Sequence, residues 1–211
     1  MHSDPIVSCI MPTKGRPQFA LRAIDMFLAQ TYKRAELVIL DEVESPSLPT
    51  MPVVEDRVRR DWLIAPCSLG RKRNMLISSS VGEVIVHWDD DDCYHPRRIE
   101  DQVQRLLDND AVVTGYNAME FISADGARWH YEGSPDYALG VSLCYTRDFW
   151  RENPFSDLRI GEDNAFVAAA RKSGRFVCVP ANGMITATIH AGNTSPRDTT
   201  SNPKQWRRIA A

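Results

Sequence analysis

The sequence predicts an α/β protein with a central mixed, mostly parallel sheet flanked by helices. Three observations carry this. Short β-branched runs stop abruptly at acids or at Pro/Gly turns, as buried strands do. Apolar positions recur at helical spacing between those runs. The order strand, helix, strand then repeats over the first 110 residues, which favours parallel pairing with crossover helices.

The first strand is expected at 6–11, Ile-Val-Ser-Cys-Ile-Met, stopped by Pro12-Thr13-Lys14-Gly15-Arg16-Pro17. Pro17 suits the first helical position, and Leu21, Ile24, Phe27, Leu28 and Thr31 follow at helical period. A second strand at 36–41 ends in Asp41 and Glu42. The stretch 46–52 holds three prolines and is expected to be a loop. A short third strand is expected at 62–64. A helix at 68–80 is closed by Gly82, and a fourth strand, Val84-Ile85-Val86, follows. Pro96 opens a helix with Ile99, Val103, Leu106 and Leu107 on one side.

After residue 110 the pattern changes. Short strand-like pieces at 111–116, 118–122, 128–131 and 141–145 are separated by turns and predict an antiparallel or mixed half. A helix is expected at 162–172, and late strands at 176–179 and 184–189. The polar stretch from Ala191 is expected to be a mobile tail. The organisation is therefore one domain over 1–211: a nucleotide-binding half at 1–110, a mixed half at 111–190 and the tail at 191–211.

A net charge of −3 gives no global basic field, so neither nucleic acid nor anionic membrane is an expected partner. No run of 18 apolar residues exists, so no transmembrane helix is expected. Met1-His2-Ser3-Asp4-Pro5 lacks the pattern of a secretory signal. The five cysteines form no CxxC pair, and their odd number argues against a disulfide framework. The cytoplasm, including the inner membrane face, is the expected compartment.

The chemistry concentrates at Trp88-Asp89-Asp90-Asp91-Asp92. Four adjacent carboxylates repel unless a positive charge sits among them. Directly after a buried strand, where open α/β sheets bind ligands, a hard divalent cation is the natural partner. The plain alternative is an acidic loop that solvates a strand end.

Several segments together resemble the family 2 glycosyltransferases of the GT-A fold. The likeness runs from about Ile6 to His190 and rests on five motifs in order: Val7-Ser8-Cys9-Ile10-Met11-Pro12-Thr13-Lys14-Gly15-Arg16 with the helix end Phe27-Leu28-Ala29-Gln30-Thr31-Tyr32; the strand at 36–41; Arg73-Asn74; the DxD-like Asp89-Asp90-Asp91 before Pro96; and Gly161-Glu162-Asp163. One departure is Asp41-Glu42-Val43-Glu44, where the family often has two acids and a glycine.

The resemblance implies a metal-dependent inverting transferase that uses a nucleotide-sugar donor and a carbohydrate or glycolipid acceptor, with 111–190 as the acceptor-binding half. Pro12, Thr13 and Arg16 would lie along the nucleotide. Asp41 would accept a hydrogen bond from the base, which makes UDP the natural nucleotide. Arg73 would meet the nucleotide or its phosphates. Asp91 would bind Mn²⁺ or Mg²⁺ directly, joined by His190, with Asp89 and Asp90 on ribose or a metal-bound water. Asp163 would be the general base. The other histidines, His2, His87, His95 and His130, are expected to be structural, with a place lining the site as the alternative for His87. Trp129, Tyr131, Tyr137 and Trp150 are candidates to stack on acceptor rings.

Each position also has an ordinary reading: a strand-end cap for Asp41, a solvated helix face for the Arg71-Lys72-Arg73 run, a helix-start acid for Asp163, core packing for the aromatics. Two other functions fit parts of the pattern. A nucleotidyltransferase would share the fold, but it would normally show more than one glycine after the first strand. A non-catalytic metal- or carbohydrate-binding module leaves the βαβ half and Gly161-Glu162-Asp163 unexplained.

Overall fold

In a computed structural model, residues 4–48, 56–195, 197–200 and 202–209 are described. The expected α/β architecture holds. The parallel half runs β1 (Val7–Thr13), α1 (Pro17–Leu28), β2 (Ala35–Glu42), β3 (Val58–Leu63), α2 (Leu69–Ser79) and β4 (Val84–His87). β1 pairs in parallel with β2 and with β4, and β2 with β3. Thr13 lies opposite Asp41, and Ile10 opposite His87, so the ends of these strands reach one edge of the sheet.

Strand alternation builds a core on each face. Cys9, Met11, Leu37, Ile39, Val84 and Val86 pack toward α1 residues such as Ala23 and Phe27. Ile10, Val38, Leu40 and Ile85 pack toward Leu76 and Ile77 of α2. Both faces of these strands are covered, so their sequence is a continuous apolar run rather than an alternating one.

The second half comprises β5 (Cys93–Tyr94), α3 (Arg98–Asp108), β6 (Val113–Ser123), β7 (Arg128–Glu132), β8 (Cys144–Thr146), α4 (Arg147–Glu152), α5 (Asn164–Ser173), β9 (Phe176–Pro180), β10 (Ile185–Ile189) and β11 (Trp206–Ile209). The main path of the sheet is β11-β7-β6-β8-β4-β1-β2-β3. β6 is antiparallel to β7 and β8 but parallel to β9 and β10, which gives the mixed half.

Several boundaries differ from expectation. The two strands expected at 111–116 and 118–122 are one strand, β6, with a register shift between Tyr116 and Ala118. The strand expected at 141–145 divides into a 3₁₀ turn at Gly140–Ser142 and β8. The third strand begins four residues earlier than expected, because Arg59, Arg60 and Asp61 mask its pattern. The tail expected to be mobile is a strand at 206–209. β11 pairs antiparallel with β7, and Trp206 is buried against Phe121 and Tyr131.

Candidate active site

A cavity of about 860 Å³ opens over the strand ends. Thr13, Arg16, Arg73, Asp89, Asp90, Asp91 and Pro12 line it, as do Glu162 and Asp163 from the other half of the chain. The two acidic motifs therefore face one shared space.

The Asp run is held by positive charge and by amides. Arg16 places Nη1 2.7 Å from Asp91 Oδ2 and Nη2 2.7 Å from Asp90 Oδ1, the latter as a charge contact rather than an aligned hydrogen bond. Thr13 Oγ1 donates to Asp90 Oδ2 at 2.5 Å. Burial pushes the Asp90 carboxyl up to about 7, against the pull of Arg16. Burial and the neighbouring acids also raise Asp92, whose Oδ1 accepts from the Thr188 amide at 2.8 Å. Asp92 thus ties β10 to the loop after β4, which fits a supporting acceptor.

Arg16 was expected along a nucleotide; here its guanidinium occupies the Asp run itself. His190 stands at the same carboxylate, its Nε2 3.0 Å from Asp91 Oδ2, with Asn193 Nδ2 at 3.4 Å. Asp91 and His190 offer an oxygen and a nitrogen donor of the kind Mn²⁺ accepts. Among the described residues no group of three His, Cys, Asp or Glu is arranged to hold a metal. On that chemistry Asp91 and His190 are the residues that would hold a divalent cation.

Arg73 connects the two motifs. It is 3% exposed, and its guanidinium meets Glu162 Oε1 through Nη1 and Asp89 Oδ1 through Nη2, the latter at 3.5 Å. Glu162 was not foreseen as a partner. Its signal lay in Gly70, where a Cβ would stand 1.9 Å from the Ser156 carbonyl oxygen. Glycine there lets the loop before α5 press on α2 and delivers Glu162 to Arg73.

Asp163 sits at the N-cap of α5, yet its side chain makes no capping hydrogen bond. A Cβ added to Gly140 would lie 2.1 Å from Asp163 Oδ2. Gly140 therefore makes room for the carboxylate. In Gly140→Ala the Asp163 side chain must rotate away. If Asp163 is the general base that the sequence resemblance implies, UDP affinity should stay within about twofold of wild type while Mn²⁺-dependent release of UDP from a UDP-sugar slows roughly tenfold. Titration calorimetry and a product assay check this, and unchanged release would detach Gly140 from the placement of Asp163.

Two expectations need correction. Asp41 is fully buried and does not line the cavity; its oxygens accept the amides of Ser47 at 2.8 Å and Leu48 at 3.1 Å. It caps the loop after β2, and contact with a base does not fit that placement. His87 is structural: it is buried away from the cavity, its Nδ1 2.6 Å from the Gly140 carbonyl oxygen. Burial, aided by Arg73, drives its pKa well down, so it is neutral. Of the four aromatics, Tyr131 and Tyr137 line the cavity, whereas Trp129 and Trp150 do not; Trp150 Nε1 donates to Asn74 Oδ1 at 2.9 Å.

This architecture is the GT-A transferase fold. The structure of TarS 1-349 from S. aureus in complex with UDP-GlcNAc superposes with a TM-score of 0.72 at 18% identity, over 89% of this chain and 60% of that one. The mannosyltransferase PcManGT from Pyrobaculum calidifontis, in complex with GDP-Man and Mn²⁺, gives 0.71 at 13% identity, over 91% and 59%. Residues 8–173 match the model of Glycosyl transferase family 2, and the chain belongs to that family. Among its relatives is the putative colanic acid biosynthesis glycosyl transferase WcaA of Escherichia coli (strain K12), 31% identical over 106 residues, which are 47% of this chain and 37% of that protein. In each case this chain spans less than two thirds of the other protein's length.

Proposed function

We propose that the chain is a metal-dependent inverting glycosyltransferase that moves a sugar from a nucleoside diphosphate sugar, with UDP as the nucleotide, to a hydroxyl acceptor in glycan or polysaccharide synthesis. The observation that carries this is the shared cavity: Asp89, Asp90 and Asp91 on one side, Asp163 on the other, and Arg73 between them. The nucleotide sugars and the Mn²⁺ in the structural relatives support the donor class and the cation. The expected cytoplasmic location stays part of the proposal; among the described residues no helix is long and apolar enough to cross a membrane.

In this reading Asp91 and His190 would hold the cation, and Asp89 and Asp90 would face the ribose or a water beside it. The bound cation supplies charge stabilisation for the departing diphosphate. Arg16, now on the Asp run, turns its planar fork to phosphate oxygens once donor binds. Arg73 fixes Asp89 relative to Glu162 and so sets the spacing of the two acidic motifs. Asp163 takes the proton of the acceptor hydroxyl as its oxygen attacks the anomeric carbon from the face opposite the leaving group. Gly192, Asn193, Thr194 and Arg197 line the same cavity and help keep water from it.

Titrating UDP into Asp91→Ala with and without Mn²⁺ tests the metal role. Wild type should gain roughly tenfold in affinity with Mn²⁺, about 1.4 kcal/mol, and the variant should gain none. A metal-dependent gain of wild-type size in Asp91→Ala would remove the residue from this role.

A further inference from the structure

One buried histidine takes no part in the chemistry proposed for the cavity. His87, the last residue of β4, is fully buried, and its ring stands between two partners. Nδ1 lies 2.6 Å from the Gly140 carbonyl oxygen and Nε2 3.1 Å from the Tyr145 hydroxyl oxygen. A carbonyl oxygen only accepts, so Nδ1 carries the proton. The ring is neutral, so Nε2 is bare and the Tyr145 hydroxyl donates to it. Tyr145 and Phe155 pack around the imidazole, with ring centroids 5.5 Å and 5.3 Å from it. The His87 backbone amide also donates, to the Leu143 carbonyl oxygen at 3.0 Å. The 3₁₀ turn at Gly140–Ser142 is thus tied to the end of β4 by the carbonyl at its start and by the one just past its end.

We infer that His87 is a positioning residue for Asp163: by holding the Gly140 carbonyl it sets where that carboxylate stands relative to the Asp run. The inference rests on the proposed function, in which Asp163 takes the acceptor proton. Gly140 lies so close to Asp163 that a Cβ there would come within 2.1 Å of Oδ2. A shift of the Gly140 backbone therefore either crowds the carboxylate or leaves it loose. At its other end the tie is short, since His87 stands two residues before Asp89. The path from Asp89 through His87 and Gly140 to Asp163 joins the two acidic motifs by a route separate from Arg73 and Glu162. Misplacing a reacting group by about 1 Å can cost roughly a hundredfold in rate, even when the change lies away from the chemistry. His87 does not line the cavity, so donor affinity has no reason to follow.

The test compares two amides in the full chain. In His87→Asn the side-chain nitrogen falls where Nδ1 lies and can keep the bond to Gly140. In His87→Gln it falls nearer Nε2 and cannot. Both variants bury an amide in place of an imidazole, so a histidine that only packs predicts equal damage. Calorimetry should find UDP affinity in Mn²⁺ within about twofold of wild type in both. Mn²⁺-dependent release of UDP from a panel of UDP-sugars should slow roughly tenfold or more in His87→Gln and stay within about threefold of wild type in His87→Asn. Equal rates in the two variants, the reverse order, or a loss of UDP affinity in His87→Gln that matches its loss of rate overturns the inference. Wild type supplies a second measurement that needs no variant to fold. Long-range proton–nitrogen NMR spectra should show His87 as the Nδ1–H tautomer, and the Nε2–H tautomer overturns the inference. Wild-type turnover in Asp163→Asn would instead remove the base role, and wild type that neither binds UDP nor releases it from any UDP-sugar would remove the proposed function; either result takes this inference with it.

Discussion

Asp163→Asn is expected to bind UDP and Mn²⁺ within about twofold of wild type and to lose roughly a hundredfold or more in sugar transfer, the range of a positioned general base. The amide has nearly the shape of the carboxylate and fits the same space beside Gly140, so neither fold nor donor site has reason to move. It cannot take a proton at neutral pH. Glu162, one residue earlier, is no substitute, because its carboxylate is buried and engaged by Arg73. Asp163 by contrast makes no side-chain cap to its own helix and lines the cavity. Calorimetry of UDP binding and an assay of UDP release from a panel of UDP-sugars read the two halves of this expectation. Wild-type turnover on the true acceptor would take the base role from Asp163.

The largest effect on stability is expected at Arg73. Arg73→Met keeps length and apolar stem but removes the charge that sits between Glu162 and Asp89 inside the protein. Breaking a buried pair by deleting one partner costs about 3–5 kcal/mol, because the other charge is left uncompensated. Burial already raises the Glu162 and Asp89 carboxyls, and Arg73 is the main opposing influence on each. Arg73→Lys should recover little, since a point charge cannot bridge two carboxylates as a planar fork does. Adding Glu162→Gln to Arg73→Met should recover part of the loss, a coupling that denaturant unfolding measures. A loss below about 1 kcal/mol would place Arg73 among exposed cations of little consequence.

The parallel half was legible because its signals are local. Val84-Ile85-Val86 and Leu37-Val38-Ile39-Leu40 are buried on both faces and stop at acids, so periodicity and composition agree. The acidic motifs and Arg73 were legible through their order along the chain. Three features were not, each for a physical reason. The third strand mixes Arg59, Arg60 and Asp61 with apolar residues because it lies at the end of the sheet path, where charge is tolerated and even protective. The side of β2 on which each acid emerges depends on a loop whose amides claim Asp41, and no one-dimensional pattern reports that. β11 is a strand by virtue of its partner: Trp206-Arg207-Arg208-Ile209 has little to bury alone and gains its ladder from β7.

That last strand has a consequence for the residues after His190 that line the cavity. The segment after His190 is anchored twice, at the acid of the Asp run and again where Trp206 locks under Tyr131. Chain ends that are already held have paid part of the entropy of closing a loop, so if this span folds over a bound donor the further loss is modest. Cutting the second anchor would turn the strap into a streamer, and the penalty would surface as a faster off-rate for whatever lies beneath it.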